Sequence, residues 1–249
     1  MPKFFVKQNQ INNDQINIIE DDVNHIRNVL RMKKDDTIQV CNQETGENFI
    51  ARINLIEKNN INCKIIEKMD ESTESNVQIT LFQGLPKFDK MEFIIQKNTE
   101  IGVCTIVPVI MDRTIVKLDE KDKTRKLERF NKIAEIAAKQ SMRDRIPEVT
   151  PFIKSKEISN FIDDYDIIIV AYENEHTHML KQTLKKITVK ENYKIGIVIG
   201  PEGGISEKEI EMFEELNFKL VSLGKRILRT ETAGLVLASN IIYELEERE

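Results

Sequence analysis

Long apolar runs are missing from this 249-residue chain: none reaches the roughly 20 residues that a helix needs to cross a bilayer. The opening segment, Met1 to Gln10, also lacks the charged, apolar and small-residue succession of a signal peptide, so a cytoplasmic protein with no membrane partner is expected. Cysteine is scarce. Cys41, Cys63 and Cys104 stand far apart in strand-like runs, with no CxxC pair and no histidine at ligand spacing, which favours buried reduced thiols over a zinc framework. Histidine is equally scarce: His176 and His178 form a pair in ENEHTH, but no third ligand accompanies them, so surface residues are expected there and no metal. Neither a GxGxxG dinucleotide pattern nor a GxxxxGK[ST] phosphate loop occurs, and there is no internal repeat or low-complexity tract.

What is present describes a compact globular chain. Apolar residues make up 40% and charged residues 32%, and the length allows one large domain or one large plus one small. The net charge of -5 runs against a polyanionic partner, but it is unevenly spread. Residues 84–145 hold 14 Lys and Arg against 10 Asp and Glu, whereas residues 200–249 hold 6 against 11. The middle of the chain is therefore the part suited to phosphate.

From Thr37 to Lys68, β-branched runs separated by the turn-like QETG and EKNN predict a small antiparallel sheet or barrel. Before it, DDVNHIRNVLRMKK predicts a helix with Val23, Ile26, Val29 and Leu30 on one face and Arg27 and Arg31 off it. His25 lies on the same segment and is expected to contact RNA or simply pack. The polar, acidic DESTESN at 70–76 reads as a solvated connector, which divides the chain into residues 1–72 and 73–249. Strands and helices then alternate: VQITLFQGL, a helix closed by Gly102, VCTIVPVI, a helix from about Asp122 to Ser141, DIIIVAY, a helix around Met179 to Ile187, and KIGIVIG. Continuous apolar strands of this kind are buried on both faces, which predicts a parallel sheet covered by helices, with a last helix from about Thr232 to Leu245.

Two loops of this α/β region carry chemistry. KIGIVIG runs into PEGG and then a helix whose start is set by a Ser206/Glu209 capping box and an Ile205/Ile210 staple. Ligands of open α/β sheets collect at such strand ends, where glycines admit a close backbone approach. Glu202 puts a negative charge where a phosphate would sit, so a neutral nucleoside carrying a sulfonium cation suits the loop better than a triphosphate. Taken alone, PEGG is equally a tight turn. The second loop, LGKRILRTET, crowds Lys225, Arg226, Arg229 and Glu231 before an apolar helix that Thr230 or Thr232 can cap, more polar chemistry than a connector requires.

IGPEGGISEKE and LGKRILRTETA together resemble the signature of the SPOUT-class methyltransferases that modify N3 of a uridine in 16S ribosomal RNA, the RsmE family. HIRNVLRMKKDD, KMEFIIQKNTEIGV and KQSMRDRIPEV resemble further family blocks in the family's order, so nearly the whole chain is covered. The resemblance implies a small N-terminal PUA-like β-barrel that binds RNA and a SPOUT α/β domain with a C-terminal trefoil knot. It implies a homodimer, S-adenosylmethionine as cofactor, and 16S rRNA in the small ribosomal subunit as partner. Carried over by motif, Ile199, Gly200, Gly203, Leu223, Gly224 and Leu228 are the expected cofactor contacts. Arg229 is expected to stabilise the uracil anion, with Glu231 or Glu202 as proton acceptor. Arg27, Arg31, Lys87, Lys90, Arg143 and Arg145 are the expected RNA contacts, each with a solvated cation as the plainer alternative. A related enzyme acting on tRNA or a ribose hydroxyl, and a non-catalytic RNA-binding assembly factor, are the competing readings.

Overall fold

The computed structural model describes residues 1–70 and 72–246. The chain divides into two compact units, Met1–Glu74 with Ala138–Ile146, and Ser75–Ala137 with Pro147–Glu249.

The first unit contains β1 (Lys3–Val6), β2 (Ile11–Asn12), β3 (Gln15–Ile19), α1 (Asp21–Asn24), β4 (Thr37–Asn42), β5 (Asn48–Ile56) and β6 (Asn60–Met69). They form one six-stranded sheet in the order β1-β4-β5-β6-β3-β2, antiparallel throughout except where β1 runs parallel to β4. Period-two alternation builds the core: Ile16 and Ile18 of β3, Ile38 and Val40 of β4, and Phe49, Ala51 and Ile53 of β5 all turn inward.

The expected helix over 21–34 is shorter and differently wound. After α1 the backbone widens into a π turn at His25–Val29, with Leu30 N–H bonded to His25 C=O at 2.9 Å, and Arg31 leaves it at φ +53°. The extra residue per turn rotates the expected face, so Val23 and Ile26 stay buried while Val29 is 64% exposed. His25 packs its ring edge-on against Phe4.

Ala138–Ile146 is held in this unit by buried charge pairs. Asp144 is ion-paired with Lys3, and it accepts hydrogen bonds from Ser72 Oγ at 3.1 Å and the Thr73 N–H at 2.6 Å. Cys41 Sγ donates to the Asp144 carbonyl at 2.9 Å, and Arg143 Nε donates to Glu74 at 3.1 Å. Ser72, Thr73 and Glu74 thus do more than span a solvated connector. Their main role is to satisfy ions that burial would otherwise penalise by several kcal/mol each, roughly.

The second unit contains β7 (Val77–Gly84), α2 (Lys90–Ile101), β8 (Thr105–Ile110), α3 (Glu120–Gln140, ending in the first unit), β9 (Glu148–Val149), β10 (Ile153–Lys154), β11 (Ile167–Ala171), α4 (Leu180–Leu184), β12 (Tyr193–Ile199), α5 (Glu207–Glu215), β13 (Lys219–Val221) and α6 (Thr230–Leu245). Its sheet runs β10-β8-β7-β12-β11-β13, with β9 beside β8, and every pairing is parallel. Phe82, Val107, Val170 and Val198 share a core with Ile210 and Phe213 of α5, while α6 packs on β7, β12 and α2 through a face that includes the buried Leu237 and Ile241. Each such fully buried side chain contributes about 1.5–3 kcal/mol. Gly102 ends α2 at φ +119°, as its sequence position predicts. Parallel strands put all carboxyl ends on one edge, so Ala171, Ile199 and Val221 finish side by side.

Candidate active site

A cavity of about 600 Å³ opens at that edge, within the ~300–1,000 Å³ of small-molecule sites. Three loops wall it: Ala171 to His176 after β11, Ile199 to Gly204 after β12, and Ser222 to Arg229 between β13 and α6. The third wall has no regular structure. Among the described residues, the main-chain N–H and C=O groups of Leu223 and Lys225 to Leu228 have no protein hydrogen-bond partner. Such groups persist where water or a ligand serves them.

The walls are fixed by close backbone contact and one buried network. A Cβ on Gly84 would lie 2.5 Å from Pro201 N, so only glycine lets the end of β7 meet the PEGG loop. Gly204 takes φ +74° and Gly224 φ +113°, the left-handed region open to glycine. Gln83 Nε2 donates to Thr230 Oγ1 at 2.9 Å, and Thr230 donates to the Gly200 carbonyl at 2.6 Å. Thr230 therefore ties α6 to the PEGG loop. It does not cap α6: Arg229 occupies the N-cap position, without a side-chain cap. Ser206 and Glu209 form the expected capping box, and Glu209 also accepts the Asp112 N–H at 3.0 Å.

Lys90 is the electrostatic centre of the site. Its Nζ lies 2.9 Å from Glu202 Oε1 and 3.4 Å from Glu231 Oε2. The second contact is an ion pair too poorly aligned for a hydrogen bond, which leaves Glu231 Oε2 buried without one. A cation in the first turn of α2 opposes the helix dipole, so these carboxylates, not the helix, hold Lys90 in place. Burial alone would raise the Glu202 pKa. The hydrogen bonds from Lys90 and from the main-chain N–H groups of Glu202 and Lys87 outweigh it, and the net shift is downward. Lys90 itself is shifted upward, chiefly by its hydrogen bond to Glu202.

The residue pattern of the family described as RNA methyltransferase domain matches residues 73–242, and that of the RNA methyltransferase PUA domain matches 18–66. A Bacillus subtilis (strain 168) protein named Ribosomal RNA small subunit methyltransferase E is 36% identical, the alignment covering 99% of this chain and 98% of that one. The chain belongs to this methyltransferase family. A second member, from Mesomycoplasma hyopneumoniae (strain 232), is 31% identical over 98% of this chain and 100% of its own. The crystal structure of the Neisseria gonorrhoeae methyltransferase E bound to S-adenosyl methionine superposes with a TM-score of 0.84 at 31% identity, covering 98% of both chains. The expected fold class, a PUA-like unit with a methyltransferase α/β unit, agrees with these matches.

In this methyltransferase E family member, the expected site residues fall into distinct groups. Ile199, Gly200, Leu223, Gly224, Leu228, Arg229 and Glu202 line the cavity. Gly203 does not; it backs onto Arg113, whose guanidinium donates to the Gly203 carbonyl at 3.1 Å. Glu231 also stays off the lining, turned to Lys90. Lys90, expected as an RNA contact with a solvated cation as the alternative, lines the cavity and is paired with Glu202. Arg143 is only 4% exposed and bound to Glu74, so the RNA contact expected of it has no surface to act from. Arg31 and Arg145 are exposed, and Arg27 is exposed while donating to the Lys58 carbonyl at 3.2 Å. Lys87 is half-buried, its N–H held by Glu202. Sequence reasoning missed the Ala171–His176 wall and Arg113. His176, read as a plain surface residue, is exposed on that wall.

Proposed function

We propose that this chain transfers a methyl group from S-adenosylmethionine to N3 of a uridine in 16S rRNA of the small ribosomal subunit, in the cytoplasm. The observation that carries the reading is the single cavity edge where the PEGG and KRILRTET loops converge at three parallel strand ends. The cavity fits the cofactor by its donor set: unpartnered main-chain groups at Leu223 and Lys225 to Leu228 suit a nucleoside edge and a carboxylate, and Gly224 has nothing within 4 Å where a Cβ would stand. Ile199, Gly200, Leu223, Gly224 and Leu228 would hold it, with Gly203 shaping the loop behind them. When bound, S-adenosylmethionine supplies an electrophilic methyl group on its sulfonium.

The chain's own residues do the rest. Arg229, exposed on the cavity rim with no paired carboxylate among the described residues, donates to a uracil carbonyl and stabilises the charge that builds as N3 loses its proton. Glu202 is a weak base because its pKa is held down by Lys90. Glu231 serves Lys90 in the same cluster, so both carboxylates act as positioning residues and the N3 proton leaves to water. Exposed Arg27, Arg31 and Arg145, with Lys87, complete the proposed RNA contacts. The homodimer and the trefoil knot implied by the family resemblance belong to the same proposal.

The test is incubation with labelled S-adenosylmethionine and small subunits from a strain lacking the endogenous activity, followed by nucleoside mass spectrometry. N3-methyluridine supports the reading. A 2'-O-methyl product moves the chemistry to ribose, modification of tRNA alone moves the substrate, and cofactor binding with no RNA product in either substrate overturns methyl transfer.

A further inference from the structure

Phe88, in the turn between β7 and α2, is 85% exposed and holds φ at +56°. Both features are unfavourable to folding. A phenyl ring in water forgoes burial, and a bulky side chain in the left-handed region crowds its own carbonyl. The turn is nevertheless clamped on both sides of the ring. Glu202 accepts the Lys87 N–H at 3.1 and 3.2 Å through its two oxygens, and the same carboxylate binds Lys90 Nζ at 2.9 Å. Lys90 and Glu202 both line the cavity. The ring is thus presented to solvent, at a defined place beside the cavity, by a backbone strained to put it there. Strain of this kind collects where a side chain is pre-aimed at a ligand.

We propose that Phe88 is a stacking platform for an unpaired nucleobase of the RNA substrate, adjacent to the base that enters the cavity. Exposed aromatic faces bind splayed RNA bases by stacking, with neighbouring cations taking the phosphates. Here Lys87 flanks the ring, and Lys225, Arg226 and Arg229 are exposed on the cavity rim. The inference rests on the RNA methylation proposed above.

The test compares wild type with F88W, F88L and F88G, reading the affinity for small ribosomal subunits by cosedimentation and the affinity for S-adenosylmethionine by calorimetry. F88W keeps subunit affinity, whereas F88L and F88G lose roughly tenfold or more, the usual effect of removing one stacked base contact. F88G relieves the left-handed strain, so its melting temperature holds or rises while its RNA affinity falls, opposite signs that a merely structural role does not give. The chain has no tryptophan, so F88W also provides its sole indole. Its emission is quenched when protein-free 16S transcript is bound to saturation. Wild-type affinity in F88G, an unquenched indole at saturation, a parallel loss of cofactor affinity, or a change in sedimentation of the free protein that marks a contact between copies would each overturn the platform. Absence of RNA methylation by wild type would instead remove the reading beneath it.

Discussion

Replacing Gly84 by alanine is the sharpest probe of how the cofactor loop is held. The added Cβ would stand 2.5 Å from Pro201 N, 2.6 Å from Pro201 Cδ and 2.8 Å from the Gly200 carbonyl carbon, where ordinary contact begins at 3.4 Å. All three atoms are main chain or proline ring, so none can rotate away, and the loop must retreat by roughly 0.9 Å. Retreat over that distance breaks the 2.6 Å bond from Thr230 to the Gly200 carbonyl. Overpacking costs about 1–3 kcal/mol and the lost hydrogen bond about 1 kcal/mol more. At about 1.4 kcal/mol per decade, the expected result is a roughly 30- to 700-fold loss of S-adenosylmethionine affinity, with a lowered melting temperature. Calorimetry and thermal unfolding measure the two. Gly46→Ala is the control: it also replaces a glycine, at φ +74°, but nothing lies within 4 Å of the new Cβ, so cofactor affinity is expected to stay as in wild type. Cofactor affinity in Gly84→Ala within about twofold of wild type would show that the PEGG loop is not set by this contact, and the reasoning about its geometry would fail.

Lys90→Met removes the side chain that holds the Glu202 carboxyl below its ordinary pKa, so that carboxyl should titrate at higher pH; carbon NMR of labelled glutamate, assigned with Glu202→Gln, checks it, and an unmoved titration contradicts the cluster. For Asp144, burial pushes the pKa up, but the hydrogen bonds from Lys3 and the Thr73 N–H bring it below the usual carboxylate value of 3.8. A depressed folded-state pKa gives stability that is present above the unfolded value and lost as pH falls through the folded one. The first unit should therefore lose stability below about pH 4, and Asp144→Asn, which strands Lys3, should cost about 3–5 kcal/mol at neutral pH with a flatter acid limb. Denaturant unfolding at several pH values tests this, and an unchanged acid limb in the variant refutes it. Burial pushes the Cys41 and Cys63 thiols up to about 12, so neither should be alkylated in the native protein at pH 8, while both react on unfolding. Rapid native labelling of either, located by mass spectrometry, contradicts their burial.

Signals carried by residues a few positions apart are legible in the sequence alone. The Ser206–Glu209 capping box is closed by bonds three residues long, and Gly102 ends α2 by a local left-handed turn. Continuous apolar strands announce the buried parallel sheet, and the two family-like loops are the ones that meet at the cavity. Local pattern fails where an extra hydrogen-bond step changes the period, as in the π turn that swings Val29 outward. It also fails for β1, whose four residues carry too little periodicity to read and whose partner β4 is assigned only by parallel pairing in the sheet.

The sequence by itself thus determined the two kinds of architecture, the order of the main elements of the α/β unit and two of the three loops that build the site, because those depend on short-range periodicity and recognisable loops. Only the tertiary structure decided which charges are available. Lys3 and Asp144, 141 residues apart, become a buried pair, and Arg143 is taken up by Glu74, 69 residues away. Lys90 is ion-paired with Glu202 because β7 and β12 are sheet neighbours, whereas Lys87 gives that carboxylate only its main-chain N–H. A charged side chain looks the same in sequence whether it is paired or free. The desolvation that separates the two states exists only once distant strands have met.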